Sequence, residues 1–399
     1  MSSNASLSGS LDDVVRAVRD ALGGGPVYAP RPRPAGAEPP PPGTALVLRT
    51  SGSTGNPREV ALSAAALRAS AEATHERLGG PGRWLLVLPP THVAGIQVVA
   101  RTVVAGTEVG GGTLESFTPE GFAALADDFL AAGPRAYVSV VPTQLHRLVV
   151  AAEDGDPAGL AALARFDAVL VGGAATPGPL LSRARAAGVR VVTTYGMSET
   201  SGGCVYDGVP LPGVRVRIAE GAEDGTGVVE LTGPTLAEGY VGDPAATAAA
   251  FRTDPDGTRW FRTSDLGRLD GDRLTVLGRA DDVVVTGGVN VAPDAVEEVI
   301  AEHLAARGTP GEACVVGVPD DEWGQAVVAV VTGGADRIAP VAPAVLAELR
   351  AAVAARLGSA AAPRRAYVVG ALPRRGPGKI DRAGVQRSVV QAEREPVRP

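Results

Sequence analysis

Nine consecutive residues, Thr50-Ser51-Gly52-Ser53-Thr54-Gly55-Asn56-Pro57-Arg58, gather four hydroxyl side chains, two glycines and a cation. Glycine opens backbone conformations closed to other residues, so successive N–H groups can turn into one concavity. The hydroxyls add donors and Arg58 adds charge, which together suit phosphate oxygens. The spacing is not that of the Walker loop. The same composition also describes a loose Ser/Gly surface turn, and the run alone does not choose between the two.

A second segment, Thr194-Tyr195-Gly196-Met197-Ser198-Glu199-Thr200, offers an aromatic face for a planar base, hydroxyls for a phosphate, and a carboxylate. Magnesium commonly takes one or two carboxylates together with phosphate oxygens, so Glu199 is a candidate metal ligand. Asp265, in the polar turn Arg262–Gly267, could accept from both hydroxyls of a ribose or simply cap its turn. Lys379 lies in Pro373-Arg374-Arg375-Gly376-Pro377-Gly378-Lys379, where alone it reads as a solvated loop cation. His92 opens an apparent helix, and Arg101 follows in the mostly apolar run Ile96–Val104. A buried arginine needs a partner. A structural carboxylate would serve, and so would a carboxylate on a substrate, which matches the planar guanidinium.

The elements that must position these residues are readable from periodicity. Ser10 caps a predicted helix with Leu11, Val14, Val15, Val18 and Leu22 on one face. Residues 26 to 43 form a Pro-rich connector, expected to be extended and poorly packed. Strands are then predicted at Ala45–Leu48, Leu85–Leu88, Ala136–Val140, Ala168–Val171 and Val189–Val192, with helices such as Ser63–Leu78, Pro119–Ala132 and Pro179–Ala187 between them. That alternation predicts a mostly parallel sheet flanked by helices. The polar or glycine-rich segments Thr50–Arg58, Pro89–His92, Pro142–Thr143, Gly172–Ala175 and Thr194–Thr200 each follow such a strand, where ligands bind in open α/β sheets. From about 209 to 278 short β runs punctuated by Gly and Asp predict a small antiparallel subdomain. Beyond it, helices at Pro293–Leu304 and Pro343–Leu357 and strands at Ala313–Val318, Ala326–Val331 and Ala366–Val369 predict a compact α+β unit. The fold class is α/β, with an N-terminal domain over 1–279 and a C-terminal domain over 280–399.

Composition narrows the function. The 399 residues are 45% hydrophobic and 20% charged, with a formal charge of −7, which gives no footing for a nucleic acid or an anionic membrane. No apolar run reaches bilayer length, and Met1-Ser2-Ser3-Asn4 lacks the basic start of a signal peptide. Cys204 and Cys314 stand far apart and form neither a disulfide framework nor a zinc motif. A cytoplasmic enzyme is expected; a homodimer is among the open oligomeric states.

Taken together and in this order, from about Thr44 to Asp381, these segments resemble the adenylate-forming superfamily of acyl-CoA synthetases, adenylation domains and luciferases. The resemblance implies ATP, Mg²⁺ and coenzyme A as ligands and co-substrates. It implies that Thr50, Ser51, Gly52, Ser53, Thr54, Gly55 and Arg58 form a phosphate loop, and that Gly172, Gly173, Ala174, Tyr195 and Gly196 hold adenine. Ser198 and Thr200 would meet phosphate oxygens, Glu199 would ligate Mg²⁺, and Asp265 and Arg279 would bind ribose. Asp281 would be the hinge of a mobile C-terminal domain that carries the catalytic Lys379, and Gly287–Pro293 would approach a pantetheine tunnel.

Within that superfamily the sequence looks most like the o-succinylbenzoate–CoA ligases. The subdomain that usually precedes the phosphate loop is almost wholly missing, and Pro89-Pro90-Thr91-His92-Val93-Ala94-Gly95 is followed by Arg101. By that resemblance Arg101 meets the distal carboxylate of a dicarboxylate substrate, His92 orients the substrate, and Ser139 and Thr143 line the acyl pocket. Departures from the superfamily pattern are Arg58-Glu59 where Lys-Gly is usual, Ser264 where glycine is common and Thr91 where phenylalanine is common. Glu59 thereby places an anion beside the phosphate loop.

Overall fold

The computed structural model describes residues 10–50, 58–112, 117–222, 225–309, 311–335, 337–375 and 379–394. The first helix, Leu11–Leu22, begins as its sequence requires: the Ser10 hydroxyl accepts from the Asp13 N–H at 3.3 Å, and the Ser10 N–H donates to Asp13 Oδ2 at 3.0 Å. This reciprocal pair satisfies N–H groups that the helix itself leaves open. Val14, Val18 and Leu22 turn inward from it.

The central sheet runs in the order Val109–Gly111, Arg83–Leu86, Ala136–Val140, Ala168–Gly172, Val191–Met197, Gly202–Tyr206, Val209–Pro210. The first five of these strands are parallel and the last two antiparallel. Side chains alternate across a strand, so successive residues of one apolar run fill two different cores. Trp84, Leu86, Tyr137, Ala168 and Leu170 pack on one face, whereas Leu85, Val138, Val140, Val169 and Val171 pack on the other. Both faces are covered, which is why these strands read as unbroken hydrophobic runs.

The structure corrects the placement of the first predicted strand. Thr44–Thr50 pairs antiparallel with Arg58–Ser63, which pairs in turn with Gly239–Tyr240, in a separate three-stranded sheet. Thr50 and Arg58 therefore end strands of a separate sheet and do not extend from the carboxyl edge of the parallel one. Most of Thr194–Thr200 is likewise strand: Val191–Met197 continues through Tyr195 before the turn Ser198–Thr200.

The connector is also corrected. Tyr28 bridges Leu46, with its N–H donating to the Ala45 carbonyl at 2.9 Å and its carbonyl accepting from Val47 at 3.0 Å. Pairing to a strand edge holds a segment whose composition predicted loose packing.

The antiparallel subdomain is present: Arg215–Ala219, Gly227–Thr232, Arg259–Asp270, Phe251–Thr253 and Arg273–Arg279 form one sheet. The short turn Ala280–Asp282 leads from it into a mixed sheet with its own cores. There Val315, Val327 and Ala329 pack under Pro293–Ala306 and Pro343–Leu357, and Val316, Val328 and Val330 face Arg382–Arg394. Among the described residues no helix is long and apolar enough to cross a membrane.

Candidate active site

Three elements fix the turn that carries Glu199. Ser70, on the helix Ala64–Arg77, donates to the Ser201 carbonyl at 3.0 Å, and Gln97, on the helix Val93–Ala105, donates to the same oxygen. The Ala237 N–H donates to the Glu199 carbonyl at 2.8 Å. Gly196 precedes the turn with φ +157°, and a Cβ there would collide with the Gly202 carbonyl, so the close approach of the two strands requires glycine.

The turn presents Glu199 to a cationic neighbourhood. Its Oε1 accepts from the Tyr240 hydroxyl at 3.0 Å, and the Arg58 guanidinium lies 5.0 Å from the Tyr240 ring centre. Burial raises the Glu199 pKa, while Tyr240, Arg58 and Lys379 act the other way. Among the described residues no cluster of three or more His, Cys, Asp or Glu is placed to hold a metal. A single half-buried carboxylate such as Glu199 would fit Mg²⁺ only as one ligand among phosphate oxygens and water, whose charge would also meet the neighbouring Arg58 and Lys379.

Beside it, the Tyr195 hydroxyl donates to Asp265 Oδ2 at 2.6 Å. Burial first and the Asp265 charge second push the Tyr195 pKa well above the phenol value, so it remains a donor. Arg279 lies 3.9 Å from Asp265 Oδ1 and donates to Asp281 at 3.1 Å, tying the expected ribose residues to the expected hinge. Gly172 ends its strand opposite Thr194, and Gly173 turns away with φ +86°, a left-handed conformation suited to glycine.

Lys379 arrives from the C-terminal unit on a short hairpin with Arg375. Its side chain is open to solvent yet flanked by protein on most sides. Desolvation and the Arg279 cation lower its pKa, and Asp265 and Glu199 act in the opposite direction. Its charge also acts on His92 and helps to lower the pKa of that ring. The two units touch elsewhere too: Gly178 donates to Glu298 at 2.9 Å, and Arg374 donates to the Thr143 hydroxyl at 2.7 Å.

Other expected site residues stand differently. Ser51 to Gly55 lie outside the described residues; the strands on either side bring Thr50 and Arg58 into direct register. Thr200 is fully buried, and its hydroxyl binds the Gly202 carbonyl at 2.7 Å, so it braces the turn and does not face an opening. Ser139 is buried with an unpartnered hydroxyl. Arg101 meets neither expected partner: it is sealed in the core over the Trp84 ring at 4.8 Å, donating to the Tyr206 hydroxyl at 3.1 Å. A substrate carboxylate could reach it only if Trp84 and Tyr206 parted. His75, buried against Trp84, is structural as expected, as are the two buried cysteines.

Sequence reasoning missed Tyr240, Arg31 and Arg33. Tyr240 follows a glycine in a two-residue strand, and no local pattern links it to Glu199. Arg31 and Arg33 lie in the connector. Arg31 Nη2 is 3.1 Å from His92 Nε2, and Arg33 donates twice to Glu59, at 2.7 and 3.0 Å. The anion that Glu59 adds next to Arg58 is thus paired. Pro34, Arg49, Arg58, Glu59 and Tyr240 line one cavity. Arg33→Ala should raise KM for ATP by roughly three- to tenfold through the freed Glu59 charge. The added change Glu59→Gln should restore it, and steady-state kinetics in which the double variant stays impaired would refute this account.

The AMP-binding enzyme family matches residues 7–241, and its C-terminal domain matches 294–379. A probable 2-succinylbenzoate–CoA ligase of Mycobacterium tuberculosis (strain CDC 1551 / Oshkosh) is 47% identical over 351 residues, 86% of this chain and 84% of that protein. The o-succinylbenzoate CoA synthetase of Bacillus subtilis bound to its acyl-adenylate intermediate superposes with a TM-score of 0.68 at 28% identity, covering 86% of this chain and 69% of that one. The same synthetase with ATP and a magnesium ion superposes with a TM-score of 0.67 at 28% identity, over 85% and 69%.

Proposed function

This chain belongs to the AMP-binding enzyme family, and from that premise we propose that it joins o-succinylbenzoate to coenzyme A through an acyl-adenylate made from ATP. The observation that supports the reading is the grouping of Tyr195, Asp265 and Arg279 by direct contact, with Lys379 close enough to Asp265, Arg279, Glu199 and His92 for their charges to interact. The substrate carboxylate attacks the α-phosphorus of ATP, and pyrophosphate leaves. Two anions must approach, so cations set the barrier. Lys379 and Arg58 would offset that repulsion, and Mg²⁺ held by Glu199 and phosphate oxygens would neutralise further charge. The attacking carboxylate is already ionised, so no base is needed. Burial, Arg31 and Lys379 press the His92 pKa down to about 4, which leaves the ring neutral and suited to orienting the substrate. In the second step the coenzyme A thiolate attacks the acyl carbonyl and AMP departs. Rotation about Asp281 would withdraw Lys379 and bring Gly287–Pro293 to that carbonyl.

One observation favours a second reading, a ligase for another acyl or aryl acid: the sealed Arg101 offers no open cation for a distal carboxylate. ATP–pyrophosphate exchange over a panel of mono- and dicarboxylates tests the two. Exchange driven by o-succinylbenzoate well above all other acids is expected. Exchange driven by a monocarboxylate instead would establish the second reading, and none with any acid would sink both.

A further inference from the structure

Among the described residues Arg31 is a cation without an anion. Backbone pairing of Tyr28 with the strand Thr44–Thr50 holds the connector on one side of it, and the Arg33–Glu59 ion pair holds it on the other. Between these anchors, among the described residues, Arg31 has no carboxylate partner; its polar contact is His92 Nε2 at 3.1 Å. A guanidinium can only donate. Nε2 must therefore carry the lone pair, and the proton of the neutral ring resides on Nδ1. The charged groups that bear on His92 are Arg31 and Lys379, both positive.

Lys379 lies close enough to Glu199 and Asp265 for both charges to act on it, and in the adenylating reading it serves the nucleotide and the reacting carboxylate. Arg31 comes from the opposite end of the chain. It is half-buried, whereas Arg101 is closed off. We propose that Arg31 fixes His92 as its Nδ1–H tautomer and binds, through its remaining N–H groups, the carboxylate of the acyl substrate that does not react. Planar donors on a carboxylate give geometric selectivity that an ammonium does not. The proposal rests on the adenylating reading above and deepens it.

The test uses the full chain and the variants Arg31→Met and Arg31→Lys. Substrates are o-succinylbenzoate and the two analogues that each lack one of its carboxyl groups. Arg31→Met should raise KM for o-succinylbenzoate roughly ten- to hundredfold, leave KM for ATP unchanged, and raise KM for the analogue without the non-reacting carboxylate only a few-fold, through the loosened His92. Arg31→Lys should recover part of the loss. Nitrogen-15 NMR of labelled histidine should show His92 protonated at Nδ1 in the parent and partly at Nε2 in Arg31→Met. Equal rises in KM for the dicarboxylate and that analogue, or an unchanged KM with a lowered melting temperature, would reduce Arg31 to a tether. A parent that exchanges only with another acid overturns the substrate assignment, and the His92 tautomer in parent and variant still decides whether Arg31 positions the ring.

Discussion

Lys379→Ala should lower ATP–pyrophosphate exchange by at least about a hundredfold, the scale seen when one preorganised charge stabiliser is removed from a transition state. Thioester formation from preformed acyl-adenylate and coenzyme A should remain within a few-fold of the parent. The asymmetry follows from where the lysine sits. It is carried on the two-residue strand Lys379–Ile380 of the C-terminal unit, yet it is close enough to Glu199 and Asp265 to feel both charges. On the proposed mechanism it serves, in that arrangement, the step in which two anions meet. The thioester step has no pyrophosphate leaving group and on the same proposal would need the lysine out of the way. Single-turnover measurements of each half-reaction decide the matter, and an equal loss in both would refute a division of labour between two domain orientations.

The parts of this machine that local chemistry dictates were legible in the sequence. The Ser10 cap, the strand Ala136–Val140 and the helix Pro343–Leu357 lie where hydroxyl, β-branched and proline signals put them. Gly173 and Gly196 were visible because the backbone needs glycine at those two places. What escaped was pairing across the chain. Arg31 meets His92 and Tyr240 meets Glu199 over separations of 61 and 41 residues, and neither arginine nor tyrosine differs locally from a solvated surface residue. The connector was misread for a related reason. Proline content predicts extension, and extension is also what lets a segment add to a strand edge, as Tyr28 does beside Leu46. Arg101 was rightly seen to need a partner, but aromatic faces were not weighed against carboxylates, and Trp84 and Tyr206 took that place.

A second large effect is expected at Arg382, three residues past the lysine. Its guanidinium donates to Asp294 at 2.7 Å, to Glu297, and to the Val315 carbonyl at 2.5 Å, and it lies 3.4 Å from Asp282 beside the hinge. Three carboxylates thus depend on one cation, all of them less than about a third exposed. Burial and the neighbouring Glu297 charge push the Asp294 pKa up to about 7 even with Arg382 present. Arg382→Met removes the guanidinium that Asp282, Asp294 and Glu297 share and should cost about 2–4 kcal/mol of stability at neutral pH, the lower part of the range for stranding a buried charge because these groups are partly solvated. The pH dependence has a definite sign. Because the folded pKa is raised, the native state keeps a proton that the unfolded chain releases, so stability falls as pH climbs from about 4 through about 7. Without Arg382 the Asp294 pKa rises further, which makes the variant's deficit larger at pH 8 than at pH 5. Urea unfolding at the two pH values measures it. A deficit that is the same at both would show that Arg382 contributes through packing and its bond to Val315, and that the carboxylates beside the hinge do not need its charge.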